Sequence, residues 1–351
     1  MTRVYEGSDR VELWDKLGRP FRMGALVQGD RDRVADLIAT GSSEAAGFAG
    51  YLLAGHAGML ATGLEWSTLW IDHFPTHPQF HQQAYQALEQ VTSALSGPEA
   101  EAGRMVLAHL RPDAVDADGF MAKVQALGGP LMEALTQGDY AAAGPLWQDY
   151  YALAAAFHDR LFEFCWAYAS AVLKELGQAR AEQALSETLR SCSFYEGAWA
   201  GGMILDTGEM AAVLAEHLRA HFSGPDRAGQ ATVREEADFF VIELAPCGSG
   251  QAMRAGEAGQ RLEFGSFSEA SPMTWSRSGV PAYCAHCAVN ELESVRRLGY
   301  PRWVTEFDPD PSRPCAWKLY KDPARIPQHY FDRLGVERDP SRFVSLPIRQ
   351  D

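Results

Sequence analysis

The chain has 351 residues, 46% of them hydrophobic and 22% charged, with a formal net charge of −15. That length allows two domains or one large one, and the composition is that of an ordinary globular protein. An acidic surface repels phosphate backbones, so nucleic acid is excluded as a general partner, and no apolar run approaches the roughly 18 residues a membrane helix needs.

The opening Met1 to Glu6 has neither the apolar core nor the small-residue cleavage site of a signal peptide. From about residue 30 to 222 Ala, Leu, Glu and Gln dominate, and the spacing predicts helices over roughly 30–40, 44–72, 79–95, 98–110, 117–137, 140–175, 178–192 and 207–222. Gly and Pro separate them, among them Gly128-Gly129-Pro130, Gly177 and Gly201-Gly202. Gly29-Asp30 and Gly138-Asp139 open two of these runs, a loose internal echo.

The texture changes at Asp226 to Gly229, and the apolar period shifts toward two. Strands are expected at Ala231–Glu236, Phe239–Leu244, Trp303–Phe307 and Ala316–Tyr320, with a helix over Ala288–Leu298. The fold expected is therefore α+β: a helical N-terminal part followed by a small antiparallel sheet domain carrying a cysteine cluster. Its domains would be 1–140, helical, and 141–351, with helices over 141–222 and the sheet over 230–321.

Chemistry concentrates late in the chain. Cys284-Ala285-His286-Cys287 places two thiols and an imidazole within four residues, and Cys247 stands upstream in Pro246-Cys247-Gly248-Ser249-Gly250. A Cys-x-x-Cys turn can bring two sulfurs to one metal ion, or it can hold a redox or nucleophilic thiol. The metal reading takes Cys247, Cys284, His286 and Cys287 as ligands to zinc, with iron as second choice. His286 between the cysteines can instead serve as acid or base beside the metal. The thiol reading makes Cys287 or Cys247 the nucleophile, with His286 shuttling protons and the Gly248 to Gly250 amides facing an anion. The helix after Cys287 would favour thiolate there through its N-terminal dipole. Inert, buried cysteines are the plain alternative.

Cys315 heads a run whose alternation turns Cys315, Trp317 and Leu319 one way and Ala316, Lys318 and Tyr320 the other. Arg254, Arg277, Lys318 and Lys321 lie near the cysteines in sequence. Arg277, Lys318 and Ser249 are the residues expected to bind a small, anionic substrate. In the helical part His73, His77 and His81 share a spacing that Pro75 and Pro78 interrupt. His158-Asp159 reads first as a structural hydrogen bond, and neither Glu-x-x-His nor His-Glu-x-x-His occurs.

Roughly the last two hundred residues resemble the L-2-amino-thiazoline-4-carboxylic acid hydrolase family. The likeness lies in the Ala-rich helix pair around Leu176-Gly177, the strand Phe239–Leu244 leading to Cys247, the step ending at Cys287, Glu291 and Glu293 on the next helix, and Cys315 opening an aromatic strand. The resemblance implies an α+β domain with functional cysteines that hydrolyses a C–N or C=N bond of a small heterocycle or amide. Against this enzyme stands a non-catalytic zinc- or ligand-binding sensor, with the helical part as an interaction surface. Six cysteines in so long a chain do not make a disulfide framework, so reduced thiols in a cytoplasm are expected, with no membrane or nucleic-acid partner.

Overall fold

The structure, a computed structural model, describes residues 2–6, 9–24, 28–244, 246–255 and 264–347. The chain opens with β1 (Arg3–Val4), a hairpin of β2 (Arg10–Leu13) and β3 (Arg19–Arg22), and the short α1 (Trp14–Leu17) between them. Helices follow: α2 (Asp30–Ala39), α3 (Glu44–His73), α4 (Pro78–Ser93) and α5 (Gly97–His109). A small hairpin, β4 (Leu110–Arg111) and β5 (Ala114–Val115), leads to α6 (Ala117–Leu127) and α7 (Gly129–Gln137). The long α8 (Tyr140–Leu176) packs against α2, α3, α4, α5, α7 and α9 (Gln178–Ser191). Then come α10 (Ser193–Ile204) and α11 (Thr207–Ala220).

Local chemistry sets these boundaries. Asp116 and Asp139 cap α6 and α8 by accepting the Gly119 and Ala142 N–H groups, and Asp206 with Glu209 forms a full capping box on α11. The single helix expected over 117–137 is two helices. It breaks at Gly128, where a Cβ would lie 2.1 Å from the Leu53 side chain, and Pro130 enters the first turn of α7. Helix α10 was not anticipated, because Gly197, Gly201 and Gly202 lower its propensity. Burial of Tyr195 and Trp199 overrides that weakness.

The second part of the chain contributes β6 (Thr232–Glu235), β7 (Phe239–Leu244), α12 (Gly250–Ala255), the pair β8 (Ser266–Phe267) and β9 (Val280–Pro281), α13 (His286–Leu298), β10 (Val304–Glu306), β11 (Cys315–Tyr320) and α14 (Gln328–Asp332). The main sheet is antiparallel in the order β1-β6-β7-β11-β10, so the N-terminal strand, absent from the sequence reading, closes one edge. Cys315 pairs with Leu244, Trp317 with Ile242 and Leu319 with Phe240, and the expected alternation along β11 holds for Cys315, Trp317 and Leu319, which are buried. The α+β assignment with a small antiparallel sheet stands. One hydrophobic core runs from Tyr5 to Leu334 and joins α3–α5, α8, α9 and α11 to the inner face of the sheet. Among the described residues no helix is long and apolar enough to cross a membrane.

Candidate functional site

Cys247, Cys284, Cys287 and Cys315 line one small cavity of about 50 Å³, together with Ser249, Arg254, Tyr283, His286, His217 and His221. A single water needs about 10–15 Å³ on this measure, so the space admits a few waters or the reacting end of a small molecule. The loop before α12, the turn before α13, the end of α11 and strands β10 and β11 all contribute walls.

Two glycines explain how the Cys247 loop reaches this place. A Cβ on Gly248 would lie 1.7 Å from the His221 carbonyl oxygen, and one on Gly250 would lie 2.8 Å from Cys284 Sγ. Any side chain at Gly248 would collide with backbone, so glycine lets the loop close on the end of α11 and on the cysteine turn together. The Cys247 N–H donates to Gln251 Oε1 at 2.6 Å, and Ser249 Oγ lies 3.5 Å from Cys247 Sγ.

The Cys-Ala-His-Cys turn sets the tautomer of His286. The Tyr283 carbonyl lies 2.7 Å from Nδ1 and can only accept, so Nδ1 carries the proton. That leaves the Nε2 lone pair 3.5 Å from Cys287 Sγ. Burial pushes the His286 imidazole down to about 4, so it is neutral and able to accept a proton. Burial, reinforced by the neighbouring thiols, pushes Cys287 well above its ordinary 9.0 and Cys315 up to about 11. Cys284 is also raised by burial, although the Arg254 guanidinium works the other way. Cys287 is the second residue of α13, yet desolvation outweighs the helix dipole that was expected to favour thiolate.

Across the cavity stands a chain of imidazoles that the sequence reading missed. Asp159 accepts from His158 Nδ1 at 2.9 Å, His158 Nε2 meets His221 Nδ1 at 2.7 Å, and His221 Nε2 meets His217 Nε2 at 3.2 Å. Asp159 is gripped by both Arg227 terminal nitrogens at 2.7 and 2.8 Å. Burial alone would raise its carboxyl, but Arg227 and His158 outweigh it and hold it well below its ordinary value. An ionised Asp159 can only accept, so each neutral ring in turn accepts on one nitrogen and donates from the other. The sequence is forced: His217 donates to His221, His221 to His158 and His158 to Asp159. Burial lowers all three histidines, His217 to about 3. His158-Asp159 is thus a structural hydrogen bond, as read, and also the anchor of this chain. The i, i+4 spacing of His217 and His221 was the available signal, since it puts both rings on one helix face.

Residues of the cavity wall also carry orphaned groups. Asn290 Oδ1, Trp303 Nε1 and Thr305 Oγ1 are buried without a hydrogen-bond partner among the described residues, and all three residues line the cavity. Buried polar atoms without partners are rare and mark a place where a bound molecule completes the set. The expected substrate-binding residues Arg277 and Lys318 are not among the lining residues. Arg277 is exposed and donates to the Phe307 carbonyl at 3.0 Å, and Lys318 pairs with Glu306 at 2.7 Å. Sequence proximity misplaced them, because Lys318 alternates away from Cys315 and Trp317 along β11. Ser249 and Arg254 do line the cavity.

Cys247, Cys284, His286 and Cys287, the set expected to hold zinc or iron, share the wall of this cavity. Among the described residues no three His, Cys, Asp or Glu side chains form a group that could hold a metal ion. His286 gives Nδ1 to the Tyr283 carbonyl and turns Nε2 toward Cys287, and burial raises the Cys284 and Cys287 thiols. All six cysteines are free.

Comparison with family models, with curated proteins and with solved structures gave no match to this chain.

Proposed function

We propose that the thiol cavity is the active site of a hydrolase acting on a C–N or C=N bond of a small heterocycle or amide. The observation that carries this reading is the orientation of His286, with Nδ1 held by the Tyr283 carbonyl and the Nε2 lone pair facing the Cys287 thiol. Nucleophile, base and orienting group then stand in series. Trp303 Nε1 and Thr305 Oγ1 supply donors and Asn290 Oδ1 an acceptor, a pattern that suits an N–C=O or N–C=N group. The resemblance of the C-terminal part to the L-2-amino-thiazoline-4-carboxylic acid hydrolase family supports the same chemistry.

In the first half-reaction Cys287 Sγ attacks the carbon of the C=O or C=N group while its proton passes to His286 Nε2. The thiol is raised and the imidazole lowered, so transfer accompanies attack and does not precede it. The C–N bond breaks, its electron pair stays on nitrogen, and that nitrogen takes the proton from His286. Water then adds to the thioester or thioimidate, giving its proton to His286, and Cys287 leaves with a proton restored. Free thiols of this kind suit a reducing cytoplasm.

The test is mass spectrometry of the protein mixed with 2-aminothiazoline-4-carboxylate and a panel of small cyclic amides and amidines. An adduct on Cys287 that forms and decays with turnover, and is lost in Cys287→Ser, is the expected result. Full turnover by Cys287→Ser overturns the nucleophile. Stoichiometric zinc lost in Cys284→Ala overturns the metal-free mechanism. Reversible binding across the panel with no turnover and no adduct favours a ligand sensor.

A further inference from the structure

A second, larger cavity of about 490 Å³ lies between α3, α10 and α11, with Arg19 and Phe21 of β3 in its wall. That volume falls within the roughly 300–1,000 Å³ of small-molecule sites. Phe194, Ala198, Leu214 and His217 belong to the walls of both cavities. The larger one therefore adjoins the proposed chemistry through the terminal imidazole of the histidine chain.

Three features of its lining are left unexplained by contacts among the described residues. His56 is 2% exposed; Nδ1 lies 3.5 Å from the Tyr150 hydroxyl, and Nε2 has no partner among the described residues. Arg19 stacks on Phe21 and Tyr51 at 4.5 and 5.0 Å, and among the described residues no carboxylate pairs with it. The neighbouring cations are spent: Arg22 holds Asp30 and Glu216, and Arg219 holds Glu216. Lastly, Gly55 and Gly58 of α3 and Gly197 of α10 face the cavity, and a Cβ on any of them would meet nothing within 4 Å. Each glycine costs its helix about 1 kcal/mol relative to alanine. No close neighbour demands it.

We infer that this cavity binds the apolar body of an amphiphilic anion, laid along the glycine faces of α3 and α10, with its carboxylate on Arg19. The small heterocycle or amide proposed for the neighbouring site is then the far end of an elongated molecule and reaches the thiols past His217. This last step rests on the proposed hydrolase; the binding itself does not.

Decanoate is the probe, with decanol as its uncharged counterpart, titrated calorimetrically into the full chain and into Cys287→Ser. Decanoate is expected to bind both proteins equally. Gly58→Leu and Gly55→Leu should weaken both ligands at least tenfold. Gly58→Ala should raise the melting temperature, which shows that the position tolerates a side chain. Arg19→Gln should weaken decanoate about tenfold, the loss of one charge-assisted contact, and leave decanol unchanged. No decanoate binding, or binding indifferent to both leucine variants in folded protein, overturns the cavity assignment. Equal loss of decanoate and decanol in Arg19→Gln overturns the anionic end. Full turnover by Cys287→Ser would defeat the hydrolase reading alone, since that variant's binding is measured separately.

Discussion

The thiol face and the histidine face of the small cavity are assembled by different means. Cys284, His286 and Cys287 come from one turn, and the Tyr283 carbonyl that orients them belongs to it as well. His158, His221 and His217 come from α8 and from the end of α11, and their order depends on one ion pair, Asp159 with Arg227. A local turn keeps its geometry when a side chain is changed. A relay across two helices depends on the buried charge at its far end. Chemistry should therefore be lost from the first face and stability from the second.

His286→Ala tests the first half of that contrast most sharply. Turnover of whatever substrate the panel yields should fall about 10²–10⁴-fold, the usual worth of a general base, with the urea midpoint nearly unchanged. Unchanged turnover would remove His286 from the mechanism. Asp159→Asn should do the reverse and cost about 3–5 kcal/mol in urea unfolding, because it strands a buried cation. The lower end is expected, since Arg227 keeps 26% of its side chain exposed. A loss below about 1 kcal/mol, the range of surface pairs, would mean that the chain is not anchored there.

The buried imidazoles and the buried thiols should respond to opposite ends of the pH scale. Burial lowers His286 from 6.5 to about 4 and His56 and His217 to about 3, so the unfolded chain takes up protons first. Their contribution is complete above pH 6.5 and is lost as pH falls toward 4. Glu163, raised by burial to about 8, opposes this, as do Glu291 and Asp30, which burial also raises. The thiols are raised from 9.0 to about 11 at Cys315 and about 12 at Cys165 and Cys192, so stability is lost as pH climbs through 9. Melting temperature measured across pH should fall at both ends, and His217→Phe should flatten the acid limb only. The smallest effects belong to Arg277→Gln and Lys318→Gln. Both side chains lie outside the cavity, so turnover should be unchanged and stability should shift by no more than about 0.5 kcal/mol.

What was legible in advance follows the same division. The helical texture before Asp226 and the strands expected at 239–244 and 316–320 were carried by periodicity, and the thiol turn by spacing within four residues. Helix α10 was hidden by its glycines, and the edge strand β1 by its two-residue length, because pairing with β6 decides it and local sequence does not. The histidine chain was invisible for a related reason. His158 and His221 are 63 residues apart, and only the packing of α8 beside the end of α11 brings their rings together. Arg277 and Lys318 erred the other way, since nearness along the chain was taken for nearness in space.

Gly248 sits with its Cα against the His221 carbonyl, leaving no clearance between the cysteine loop and the helix that carries two of the imidazoles. So close an approach leaves the loop little room to shift without displacing the helix end. If an occupant of the larger cavity tilts α11, the Cys247 sulfur travels with it, and the reactive chamber registers what fills its neighbour.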